Sequence, residues 1–208
     1  TTAYEMLRSL VGSEMCIRDR ISCDQNNTKS KSPNIILITV DDLGWKDLGF
    51  MGSKYYETPF LDKLASQSMV FTNAYAGAAN CAPSRASLMS GLNTPKHGIY
   101  TVGSSQRGET KTRKLIPVKN KKYLHDSIYT LPEMLKSAGY KTAHFGKWHL
   151  NGLKGPGVPI LKDDDHSPES FGFDYWISTT NFFDLNPMMS QMGEFIDFKG
   201  SSSEIIVN

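Results

Sequence analysis

Thr130–Leu150 reads TLPEMLKSAGYKTAHFGKWHL. Thr130 and Glu133 are spaced as a capping box, whose hydroxyl and carboxylate satisfy the first free N–H groups of a helix. Met134, Leu135 and Ala138 give that helix its apolar residues, and Gly139 is its expected C-cap. Tyr140–Leu150 then reads as a strand. A capped helix running into a strand is half of an α/β unit.

Upstream, Asn34–Val40 (NIILITV) is a nearly continuous apolar, β-branched run between Pro33 and Asp41-Asp42. Such a run predicts a central strand buried on both faces. Thr58-Pro59 opens a helix through Phe60, Leu61, Leu64 and Ala65, with Thr58 as N-cap and Pro59 at the first helical position. Met69–Tyr75 is a second strand candidate, and Cys81–Met89 a short helix ended by Gly91. Strands alternating with helices predict an α/β fold, a central and mostly parallel sheet flanked by helices.

Composition agrees with a folded chain. Of 208 residues 39% are hydrophobic, and 23 basic against 21 acidic residues leave a net charge of +2. That small charge argues against a dedicated nucleic-acid binder. The longest apolar run is far too short to span a bilayer as a helix, and three cysteines do not make a disulfide scaffold.

The first 32 residues read as a tail, and 33–208 as the folded part. Val11–Arg20 (VGSEMCIRDR) has neither helical nor strand period and resembles a translated library adapter. An ordinary N-terminus is the alternative. Ile21–Asp24 (ISCD) looks like the end of a bacterial lipobox, with Cys23 as a lipid-anchor site and 25–32 a polar tether. A free surface Cys23 stays open beside it. With an anchor, the protein would be exported to the periplasm or cell surface.

Three pieces carry chemistry. Asp41-Asp42 sits at the carboxyl end of a predicted strand, where α/β sheets place ligands. Adjacent carboxylates there call for a cation, calcium or magnesium, unless they form a plain surface turn. Cys81-Ala-Pro-Ser-Arg85 places Cys81 at the positive end of a helix and Arg85 one turn on along the same face. A guanidinium fork beside a helix N-terminus suits a tetrahedral oxyanion. In Gly146-Lys147-Trp148-His149 an extended backbone directs Lys147 and His149 to one face and Trp148 to the core. A fixed cation beside an imidazole suits anion binding with proton transfer.

Elsewhere, Arg107–Lys122 holds seven basic residues against the single acid Glu109 and no interleaved aromatic. It is a solvated loop or a rim attracting a polyanionic substrate. Asp163-Asp164-Asp165 is expected in solvent; His97, in the Thr94–Gly98 turn, is read as structural with a place at the pocket entrance as the alternative, His125 and His144 as structural, and His166 as a loop residue.

Pro33–Gly44, Cys81–Gly91 and Gly139–Leu150 together resemble the type I sulfatases in order, spacing and wording. The resemblance runs from about Pro33 to the C-terminus, and Cys-x-Pro-Ser-Arg is its most specific part. It implies an alkaline-phosphatase-like fold and a sulfuric ester hydrolase acting on sulfated saccharide. Cys81 would be converted to formylglycine by a maturation enzyme, and its hydrate would be nucleophile and metal ligand. Asp41 and Asp42 would bind calcium, with magnesium less suited. Arg85 would hold the hydrate, Lys147 the sulfate, and His149 would help sulfate leave. A phosphonate or phosphate ester hydrolase of the same fold, or a non-catalytic binder of sulfated glycans, are the alternatives.

The family pattern also asks for a later Asp paired with Asn, Gln or His, and a further Lys and His. Phe171–Asp174 (FGFD) resembles a family segment, but Asp184-Leu-Asn186 comes too early for the metal pair. Ser201–Val207 reads as the cap and first residues of a helix not completed. The chain is therefore expected to be an N-terminal fragment truncated on the C-terminal side, inactive and poorly soluble as given.

Overall fold

The computed structural model describes residues 32–152, 159–162, 164–181 and 189–196. The adapter-like 11–20, Cys23, most of the tether, Asp163, Asp184-Leu-Asn186 and Ser201–Val207 lie outside the described residues. The chain divides into two units, Thr1–Val40 and Asp41–Asn208.

In the first unit, Asn34–Val40 is not the expected strand. The segment has no regular secondary structure, and Ile35, Ile36, Leu37 and Ile38 are exposed. A buried strand exists only where neighbours take up its N–H and C=O groups. The one sheet among the described residues contains none of 34–40.

The second unit holds four helices and four strands among its described residues: α1 (Pro59–Ser66), α2 (Cys81–Ser90), α3 (Thr94–His97), α4 (Leu131–Ser137), β1 (Ala143–Lys147), β2 (Tyr175–Thr179), β3 (Met189–Gln191) and β4 (Glu194–Ile196). Thr58 precedes α1 as expected. Its hydroxyl donates to Asp62 Oδ1 at 2.9 Å and accepts from Gly49 N at 2.8 Å, tying the helix to a 3-10 turn at Gly49–Met51. Met69–Tyr75 is not a strand either: a turn at Thr72-Asn73 breaks it, and asparagine favours turns because its side chain bonds its own backbone.

The sheet runs β1-β2-β3-β4. β1 and β2 are parallel, with Lys147 opposite Thr179, whereas β2–β3 and β3–β4 are antiparallel. The described sheet is thus mixed rather than mostly parallel. The reason is local: Met192 and Gly193 both have positive φ, 49° and 89°, the requirement of a two-residue hairpin turn. The parallel pair instead needs the long crossover from Trp148 to Asp174.

The capping box before α4 forms as read, with Thr130 N donating to Glu133 Oε2 at 2.7 Å. The helix ends at Ser137 with Ala138 rather than Gly139 as its C-cap, and Gly139 follows in the left-handed conformation (φ 87°). Thr130 Oγ1 also donates to Phe171 O at 2.8 Å, locking α4 to the crossover. The expected strand Tyr140–Leu150 narrows to β1, leaving Trp148 and His149 just past its end.

The core gathers Trp148, Trp176, Phe171, Phe173, Ile99 and Leu150. Trp148 Nε1 donates to His166 O at 2.8 Å, satisfying the one polar atom of a buried indole. His144 is structural, as expected: its Nδ1 lies 2.6 Å from Ser178 Oγ and its ring packs edge-on against Trp148. Asp164 departs from the expected solvent position. It is buried, accepting from Asn151 Nδ2 at 2.9 Å and from His166 N at 3.2 Å. Those donors offset the cost of taking its carboxylate out of water.

Candidate active site

Asp41 is the electrostatic hub. Lys147 Nζ lies 2.5 Å and Arg85 Nη2 3.6 Å from the same carboxylate oxygen, Asp41 Oδ2. Burial works to raise the Asp41 pKa, but the Lys147 hydrogen bond and charge, with Arg85 and His149, outweigh it and lower the pKa below its ordinary value.

Each partner is placed by its own element. Cys81 begins α2 after Asn80, whose backbone is extended (ψ 152°). Pro83 lies buried in the first turn, where its missing N–H leaves no helical bond unmade. Ala82 and Ala86 bury one side of the helix, and Arg85 is carried towards the end of β1. There its Nη1 donates to the Lys147 backbone carbonyl at 2.5 Å. That bond couples α2 to the carboxyl end of β1. Arg85 lies within electrostatic reach of Cys81, so the thiol and the guanidinium are neighbours, as their spacing implied. Cys81 is half-buried and makes no disulfide.

Lys147 is the last residue of β1 and is buried. The expected sharing of one strand face by Lys147 and His149 holds only in outcome. His149 lies beyond the strand at φ 60°, a left-handed turn that non-glycine residues seldom adopt. It is nonetheless buried and within electrostatic reach of Lys147, Arg85 and Asp41. Burial first, then the Lys147 and Arg85 charges, push its pKa down to about 4 against the pull of Asp41. The imidazole is therefore neutral at pH 7, and its Nδ1 is buried without a hydrogen-bond partner.

Asp42 is exposed, with φ 58°, and does not join Asp41 on these cations. Its carboxylate chemistry suits a hard dication. The count does not: among the described residues no group of three His, Cys, Asp or Glu gathers around a common point. Calcium takes six to eight oxygens, so the described residues do not by themselves make an ion site.

Beside His149 opens a cavity of about 350 Å³. Ala82 and Ile99 supply apolar lining, Thr101 and Gln106 polar lining, and Lys119, Lys121 and Lys122 the charge. The arginines of the basic stretch are used differently: Arg107 and Arg113 donate to nearby backbone carbonyls. Asn120 escaped sequence reasoning. Its Oδ1 accepts from Tyr100 N at 2.6 Å and Thr101 N at 3.2 Å, and its Nδ2 donates to Thr101 O and Gly103 O. Its amide pins the two cavity walls together, a role that an asparagine among lysines gives no pattern to find. His97 is structural as expected. Ile99 N donates to its Nδ1 at 3.1 Å, so Nε2 carries the proton towards Ser87 Oγ, also at 3.1 Å.

The Sulfatase family model matches residues 33–208. The chain belongs to the sulfatase family. It is 36% identical over 149 residues to the human N-acetylgalactosamine-6-sulfatase, an alignment covering 72% of this chain and 26% of that protein. A solved structure from the glycosaminoglycan metabolism of Bacteroides thetaiotaomicron is 32% identical with a TM-score of 0.63, covering 80% of this chain and 32% of that one. Another, solved in complex with its substrate D-glucosamine-2-N,6-O-disulfate, is 26% identical with a TM-score of 0.60, covering 84% and 29%. The chain therefore spans about a quarter of the curated relative and a third or less of these structures. Its α/β fold is the alkaline-phosphatase-like fold of the sulfatases. Sulfatase membership implies a formylglycine and a metal ion.

Proposed function

We propose that the protein contributes the sulfate-binding half of a sulfuric ester hydrolase acting on sulfated saccharide. The observation that carries this is the convergence of Arg85 and Lys147 on Asp41 next to Cys81, with a neutral His149 alongside. The relatives support the substrate class, since one structural neighbour is solved with a sulfated hexosamine as its substrate.

Formylglycine made from Cys81 supplies a hydrate with two hydroxyls, one to attack sulfur and one through which sulfate is expelled. Around it, Arg85 orients the hydrate from one helical turn away. Lys147 offers an Nζ to the sulfate oxygens, stabilising the charge of the transferring group. Bound sulfate would share this ammonium with Asp41, so the Lys147–Asp41 contact is where substrate competes or bridges. His149, neutral at pH 7, is ready to take a proton from the second hydroxyl as the sulfate leaves. Asp41 and Asp42 would be this chain's share of a metal site, with calcium favoured by hard carboxylate oxygens. A formylglycine-generating enzyme is the required maturation partner. Export with an anchor at Cys23 is part of the same reading.

The test is direct. Full-length protein matured in a host with the formylglycine-generating enzyme is expected to carry an aldehyde at Cys81 by peptide mass spectrometry. It should hydrolyse a sulfated hexosamine and prefer aryl sulfate over aryl phosphonate. Cys81→Ser should stop after one turnover, because a serine ester has no second hydroxyl to expel sulfate. Unimpaired multiple turnover by Cys81→Ser would overturn the reading.

A further inference from the structure

The cavity beside His149 is not used by any step above. Its charge is one-sided: three lysines line it and no carboxylate does. Among the described residues Lys119, Lys121 and Lys122 make no ion pair with an acid. Three neighbouring ammonium groups without counter-charge repel one another, and an anionic ligand relieves that repulsion.

The lysines are also held in place. Lys121 N donates to Gly98 O at 2.9 Å, and its aliphatic stem runs over Gly98, where an added Cβ would come within 3.1 Å of Cδ. The four Asn120 hydrogen bonds fasten the same segment to Tyr100–Gly103. Thr101, Ser104 and Gln106 add hydroxyl and amide groups, the donors and acceptors that sugar hydroxyls need. At about 350 Å³ the cavity falls within the ~300–1,000 Å³ range of ligand sites.

We propose that this cavity is a saccharide subsite that reads a second acidic substituent, sulfate or carboxylate, on the sugar whose sulfate ester is hydrolysed or on the sugar linked to it. The inference rests on the proposed function for its first anion and on the lysine-lined cavity for its second. The enzyme would then select multiply anionic saccharide over singly sulfated sugar.

Three probes test it with full-length, matured protein: a monosulfated hexosamine, its disulfated counterpart, and the monosulfated hexosamine linked to a uronate. In the native protein kcat/KM should be higher for the two doubly anionic probes and fall more steeply with salt. Replacing Lys119, Lys121 and Lys122 together by Gln should raise KM for a doubly anionic probe about tenfold more than for the monosulfated one. The probe showing the larger change identifies sulfate or carboxylate as the second group. Restoring the charges as Arg should recover most of the preference, which a merely structural role of the lysines would not predict. Equal changes on all three probes, or no native preference, overturn the subsite. Calorimetric binding of the disulfated probe to Cys81→Ser separates the two proposals. Lysine-dependent binding without hydrolysis by the native protein keeps the subsite and sinks the hydrolase.

Discussion

α1 and α2 are both short helices with a proline in their first turn, yet they differ in what they bury. α1 leaves Phe60, Leu61 and Leu64 exposed and has no buried residue. α2 buries Ala82, Pro83 and Ala86 and carries Cys81 and Arg85 into the site. The contrast widens along the chain. Met69–Tyr75 has the composition of a strand and stays unpaired, with Met69, Phe71 and Tyr75 exposed, whereas Ala143–Lys147 pairs with β2. Local signals suffice to start a helix, because its hydrogen bonds are its own. A strand or a buried face exists only where a partner supplies the other half.

The largest test of that contrast lies in the core. Trp148→Ala should cost about 3–5 kcal/mol, from lost transfer energy and the cavity left behind. Phe60→Ala on α1 should stay within about 0.5 kcal/mol. Chemical denaturation of the full-length variants compares the two, and an equally costly Phe60→Ala would break the distinction.

Acid should act on the same compact region next. Burial pushes both His144 and His149 from the ordinary 6.5 down to about 4, aided by the charges of Arg85 and, at His149, Lys147. The unfolded imidazoles thus bind protons between pH 6.5 and 4 while the folded ones do not. Stability is full above about pH 6.5 and drains as the pH falls to about 4, by roughly 3 kcal/mol per imidazole. Urea midpoints across that range check it. His144→Gln should flatten the slope by about half, and an unchanged slope would remove His144 from the account.

The smallest effect concerns the lock between α4 and the crossover. Thr130→Ala removes a cap and the bond to Phe171 O, and should cost about 1 kcal/mol. Lys136→Ala removes only an exposed ion pair with Asp174, at 2.8 Å. It should cost less than Thr130→Ala, since exposed pairs contribute little. The reverse order, in thermal unfolding, would mean that charge rather than capping holds α4.

Much of the site was legible because its signals are local. The Thr130–Glu133 box, the glycines after α2 and α4 and the one-turn spacing of Cys81 and Arg85 are read from a few neighbouring residues. The family motifs added Lys147 and His149. Less legible were the things that depend on distance in space. Asn34–Val40 and Met69–Tyr75 looked like strands because apolar β-branched runs do, and a run cannot report whether a neighbour is there to pair with it. Asp164 looked solvent-bound among three aspartates, yet it is buried where Asn151 and the His166 amide donate to its carboxylate.

By itself, the amino-acid order determined the starts of α1, α2 and α4, the family and the identity of the charged residues that could meet. Tertiary structure alone decided that Lys147 and Arg85 meet on one oxygen of Asp41, that His149 is buried and neutral, and that three lysines of a basic loop line a cavity beside it. The physical reason is range. Caps and turns act over one helical turn, whereas burial and charge depend on segments brought together from distant parts of the chain.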